Sequence, residues 1–145
     1  MKQKKSKEYL SQIEILDIKI NQKMKELEEL RLLATSTGSF DYDKERVKAS
    51  GTGDNVERKI INYVSLEENI NKMIKKYADL RHKIINEIQG LDKVSHIDIL
   101  FKKYVENKSF DVIAVEMKYS YSHVKYLHGE ALQVFGQKYL KVNTK

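Results

Sequence analysis

An all-α fold is predicted: a long antiparallel, coiled-coil-like helical hairpin followed by a C-terminal helix-turn-helix bundle. Three observations carry it. The 145 residues contain no proline and only six glycines, so long helices can run almost uninterrupted. Two extended stretches repeat apolar side chains in alternating steps of three and four. Hydrophobic residues make up 41% and charged residues 33%, without tryptophan, a balance that suits amphipathic helices better than a deep globular core.

The N-terminus, "MKQKKSKEYL", concentrates Lys2, Lys4, Lys5 and Lys7 and reads as a basic arm. A first helix is expected over residues 6–35, where Ile13, Leu16, Ile20, Leu27, Leu30 and Ala34 form a heptad stripe. Lys23 interrupts it, with Met24 beside it. Residues 36–53, "STGSFDYDKERVKASGTG", hold three glycines among serines and threonines and predict a loop. Its Lys44, Arg46, Lys48 and Ser50 are candidate phosphate or partner contacts on an arm that orders on binding; the alternative is a disordered hairpin tip. Asp54 with Glu57 three residues on resembles a capping box. A second helix follows over residues 55–89, with Tyr63, Leu66, Ile70, Met73, Tyr77, Leu80 and Ile84 as its stripe and Gly90 as its C-cap. Residues 1–92 thus form an N-terminal hairpin. Two chains are expected to associate through it, because a lone hairpin buries little surface.

Residues 93–145 change character. Ser95 can cap a helix over 96–106 whose apolar side is Ile97, Leu100, Phe101, Tyr104 and Val105. After Asn107 and Lys108, Ser109 caps "FDVIAVEM", with Phe110, Ile113, Ala114 and Met117 on one face. A three-residue turn, "KYS", leads to a last helix ending near Leu140. On it Val124, Leu127, Ala131, Val134 and Phe135 fall within an arc of about 100°, the face to bury. Opposite and flanking lie Tyr121, Ser122, Lys125, Tyr126, Gly129 and Gln133, with Ser120, His123 and Lys118 at the helix start. Side chains of this kind at a helix N-terminus can reach base edges while lysines and amide N–H groups hold phosphate. Small Ala114 permits the close crossing that such a pair of helices needs.

Charge agrees in sign. The net charge is +6 and the pI about 9.3, which favours a polyanion. From Lys118 onward there are five lysines and one acid, Glu130. Other chemistries find little support. No cysteine is present, so disulfides and thiolate catalysis are excluded. His123 and His128, five residues apart, diverge by about 140° around a helix and cannot share an ion; His82 and His96 have no partners nearby in sequence. No nucleophile elbow or phosphate loop occurs, and the Gly-x-Gly of "SGTGDN" follows no strand. No apolar stretch approaches the ~18 residues that cross a bilayer. A cytoplasmic, non-enzymatic protein without metal or cofactor is the expectation.

The segment "YVENKSFDVIAVEMKYSYSHVKYLHGEAL" (104–132) resembles region 4 of the sigma-70 family: a helix, "S-x-x-x-I-A", a short turn, and a Ser-capped recognition helix. The whole chain is similar to small regulators of phages of Gram-positive bacteria, the ArpU and RinA type of late-operon activators. Their "V-x-x-S-x-x-G-D" segment is matched by Val47, Ser50, Gly53 and Asp54. The resemblance implies a DNA-binding transcriptional regulator that activates late or packaging genes, with double-stranded promoter or operator DNA and bacterial RNA polymerase as partners. It also implies that Val124 and Leu127 pack on Ile113 and Ala114. Two departures stand out. Lys118 occupies the place of the usual turn glycine, where a left-handed backbone costs about 1 kcal/mol. The usual arginines and glutamate are replaced by Tyr121, Ser122, His123 and Lys125, which implies a different operator. A helical adaptor that docks protein instead of DNA is the other class of function compatible with these features.

Overall fold

A computed structural model describes the backbone of residues 2–40 and 49–141 and the side chains of 3–33 and 57–141. All regular structure in these residues is helical. The order is α1 (Lys2–Leu10), α2 (Gln12–Phe40), α3 (Ala49–Gln89), α4 (Val94–Leu100), a π-helical turn (Phe101–Val105), α5 (Phe110–Met117) and α6 (Tyr121–Tyr139). The chain divides into two compact units, Asp17–Lys76 and Met1–Leu16 with Tyr77–Lys145.

Within Asp17–Lys76 the heptad stripes define what is covered. Ile20 and Ile70 are buried, and Leu27, Leu30, Tyr63, Leu66 and Met73 are half-buried. Lys23 interrupts its stripe at intermediate exposure and pairs with Glu26 at 3.1 Å, whereas Met24 is exposed. Ile60, Ile61, Val64 and Ile74 lie off the stripe and are exposed.

The other unit holds a continuous core. Leu10, Ile13, Ile84, Ile88, Ile99, Leu100, Ile113, Val124, Ala131 and Phe135 are closed to solvent. Helix α6 is its hub, since α1, α4 and α5 all pack on it. Phe135 sits between the rings of Tyr9 at 5.8 Å and Tyr139 at 5.0 Å. The buried apolar residues of α4 and the turn after it, Ile99, Leu100, Tyr104 and Val105, recur at a spacing of five. An α-helix would rotate such pairs apart. The π turn, with the Glu106 N–H donating to the Phe101 carbonyl at 3.0 Å, keeps them on one side.

Several local expectations are corrected. The basic N-terminus is not an arm: it is helix α1, docked on α6. Gln3, Ser6, Leu10 and Ile13 fall on one face. Ser6 is fully buried and its hydroxyl donates to the Leu132 carbonyl at 2.7 Å. The compact unit with the C-terminal helices therefore draws in the chain's first residues, a contact that a boundary at residue 92 does not anticipate. Only Ser11 separates α1 from α2, and i to i−4 hydrogen bonds run across it. Helix also continues through residues 36–40 and resumes at Ala49, so Asp54 lies inside α3 and is not its cap. Glycine, serine and threonine weaken a helix by about 1 kcal/mol or less each, and no proline forces a stop. Of the candidate loop contacts, Lys44, Arg46 and Lys48 lie outside the described residues, as does the side chain of Ser50; the Ala34 side chain does too. Helix α4 starts one residue before Ser95, with Lys93 as N-cap and no side-chain capping bond. Gly90 does close α3, yet it has no positive φ. Close approach explains it: a Cβ there would overlap the Tyr139 hydroxyl.

Candidate nucleic-acid interface

Helices α5 and α6 are joined by a turn whose every residue has a local reason. The Ser109 hydroxyl accepts from the Val112 N–H at 3.4 Å and starts α5. The helix stops at Lys118, which is left-handed at φ 61° and ψ 42°. The Tyr119 N–H donates to the Ala114 carbonyl at 3.0 Å and the Lys118 N–H to Val115 at 3.3 Å. Together these form a Schellman closure, with lysine where glycine is usual. Ser120 then caps α6, its hydroxyl accepting from the His123 N–H at 3.1 Å. Val124 and Leu127 are buried with Ile113 and Ala114 in one core.

The predicted contact residues divide into two groups. Lys118, Ser120, Tyr121, Ser122, His123, Lys125 and Tyr126 are all exposed, Tyr126 by 67%. Tyr121 meets Phe110 edge-on at 6.3 Å, and Lys125 Nζ lies 5.6 Å from the Tyr121 ring centre. His123 stands edge-on to Tyr119 at 4.6 Å. Gly129 and Gln133, by contrast, are half-buried. Gly129 does not leave backbone open to a ligand: a Cβ there would meet Gln3 Nε2 at 3.0 Å. Helix α1 covers this part of α6, so the exposed members of the predicted contact set are confined to its first two turns and the turn before them.

His128 does not lie at the surface. It is buried, with Nε2 2.7 Å from the Tyr104 hydroxyl and its ring edge-on to Phe110 at 4.9 Å. Burial, reinforced by the positive charges of Lys103 and Lys7, pushes its pKa down to about 4. His96 is buried as well and donates from Nε2 to Glu130 at 2.7 Å. That bond, with help from Lys93, holds the Glu130 carboxyl below the usual range. Both histidine partners lie far off in sequence, at separations of 24 and 34 residues, and no local pattern announces them.

Also absent from the sequence reading is a cleft of about 650 Å³ beside α6. Lys4 and Lys7 of α1, Lys103 of the π turn and Lys125 of α6 line it, over Phe110 and His128. Among the described residues, no set of three or more histidine, aspartate or glutamate side chains is placed to hold a metal ion. No helix among them is long and apolar enough to cross a membrane. Comparison with family models, with curated proteins and with solved structures finds no significant match to this chain.

Proposed function

We propose that this protein is a phage or prophage DNA-binding transcriptional regulator, acting in the host cytoplasm through a sigma-region-4-like helix-turn-helix formed by α5 and α6. The observation that carries this is the division of α6. Val124, Leu127, Ala131 and Phe135 are buried, while Ser122, Lys125 and Tyr126 are exposed at its capped N-terminal end. A helix built this way can enter a major groove with its apolar side anchored. By the resemblance noted above, the regulator activates late or packaging genes with host RNA polymerase. No catalytic step is part of this role. In this proposal α2 and α3 pair as an antiparallel hairpin that joins two copies, setting two recognition helices about 34 Å apart, one turn of duplex.

A direct test uses a duplex that the parent chain selects from a random pool. Lys125→Ala and Tyr126→Ala are expected to weaken binding to it by about tenfold or more, with unchanged helical circular dichroism. Parent-like affinity in both variants rules out α6 as the reading helix. A helical adaptor is the second reading, favoured by the exposed Ile60, Ile61, Val64 and Ile74 of α3. It predicts no salt-dependent gel shift on any duplex.

A further inference from the structure

Cations in the unit that contains α6 are treated unequally. Lys102 and Lys108 grip Glu116 at 3.0 and 2.9 Å, and Lys93 lies 3.7 Å from Glu130. Lys4, Lys7, Lys103 and Lys125 instead surround the cleft between α1, the π turn and α6. Among the described residues none of these four has an acidic partner within ion-pair distance, and no acidic side chain lines the cleft. Their placement is held by the fold. Ser6 and Leu10 pin α1, which fixes the bases of Lys4 and Lys7. Lys103 rests over the Phe110 ring with Nζ 4.4 Å from its centre. Clustered like charges repel unless an anion joins them, and walls of low polarity strengthen their joint field.

We propose that this cleft is a phosphate-binding site in which Lys4, Lys7, Lys103 and Lys125 converge on one or two phosphate groups. Its size, about 650 Å³, falls within the range of ligand sites. The positive charges of Lys103 and Lys7 also reach His128 at the cleft floor, which locates their field there. Two sources offer such a group: the backbone of duplex DNA and a free polyphosphate. The first rests on the role proposed above, and the position of Lys125 on the exposed side of α6 favours it. In that case α1 clamps a strand at the rim of the groove while residues 120–126 read its floor.

The test compares the parent with a variant combining Lys4→Gln, Lys7→Gln and Lys103→Gln, none of which lies on the reading face. Two titrations are made: pyrophosphate, followed at the Gly129 and His128 amide resonances, and duplex DNA across a range of salt. For a backbone site, the variant is expected to bind all duplexes more weakly while keeping its preference for the selected sequence. The slope of log affinity against log salt should flatten by about 0.9 for each phosphate no longer neutralised, hence by about one to two. For a free polyphosphate, the parent binds pyrophosphate saturably and the variant at least tenfold less, with the salt slope unchanged. If the parent binds pyrophosphate at the cleft yet no duplex, the site stands and the regulator role falls. If pyrophosphate leaves the cleft resonances unmoved and the salt slopes coincide, the phosphate site is overturned; Tyr126→Ala then still reports separately on the reading helix.

Discussion

His128 makes stability depend on pH between about 4 and 6.5. Its imidazole is only 9% exposed and lies against Tyr104 and Phe110, with Lys103 and Lys7 as the nearby charges that act on it. A proton there must enter a desolvated site already under positive potential, which is why the pKa falls from 6.5 to about 4. Between those two values the unfolded chain binds the proton and the folded chain does not, so stability drops as pH falls. The separation of about 2.5 pH units, at ~1.4 kcal/mol per unit, gives a total loss of about 3 kcal/mol once both states are protonated. Most of it, about 2 kcal/mol, should already be lost at pH 5. Carboxylates with lowered pKa, such as Glu116 and Glu130, enter only at the acid end of this window, their contribution disappearing as pH falls through and below 4.5. Urea unfolding at pH 7 and pH 5 measures the difference, and His128→Gln, which keeps a hydrogen-bonding partner for Tyr104, should abolish most of it. An equal loss in parent and variant refutes the assignment to His128, as does a ring-proton titration with its midpoint near 6.5.

Two further substitutions probe backbone geometry. Lys118→Gly removes a left-handed lysine that costs about 1–2 kcal/mol. It adds about 0.5–1 kcal/mol of unfolded-chain freedom, so a net gain of about 0.5–1 kcal/mol in urea unfolding is expected; a net loss would mean that the lysine side chain contributes more than its backbone costs. Gly90→Ala places a methyl group on the Tyr139 hydroxyl and should cost about 1 kcal/mol or more. Adding Tyr139→Phe should recover most of that in the same assay, and an undiminished penalty in the double variant would remove the close-approach explanation.

What could be read from the residues divides by how far apart the interacting partners lie. The all-helical class, the stripes through Ile20 and Ile70, the Ser109 and Ser120 caps and the buried arc of Val124, Leu127, Ala131 and Phe135 rest on neighbours within a turn or two. Periodicity reports those directly. Lys118 was legible as a left-handed lysine only through the family resemblance, which puts it where the turn usually has glycine. The docking of α1 was not legible. Its contact face begins with Gln3 and Ser6, polar residues that carry no apolar signal, and four lysines around them resemble a solvated tail. Ser6 becomes intelligible only against the Leu132 carbonyl, 126 residues away. Gly90 and Tyr139, His96 and Glu130, and His128 and Tyr104 follow the same rule. In each, the residue is explained by a distant partner that no local pattern names.

The docking of α1 also changes what the exposed end of α6 can do. Had the N-terminal lysines formed a free arm, each phosphate contact would have carried the ordering of a flexible segment. A helix fixed by Ser6 and Leu10 instead presents Lys4 and Lys7 in place before any ligand arrives, and the cost of that order is met by the core during folding. The same contact closes Gly129 and leaves a reading surface limited to residues 120–126. Under the proposed regulatory role, a short surface of tyrosine, serine and lysine offers few base contacts, so affinity on DNA would come largely from charge while sequence preference would rest on side chains such as Ser122 and Tyr126. Such a division favours paired sites over single ones. In this scheme the heptad stripes of Asp17–Lys76 supply the second copy, and the cleft beside each α6 supplies the grip.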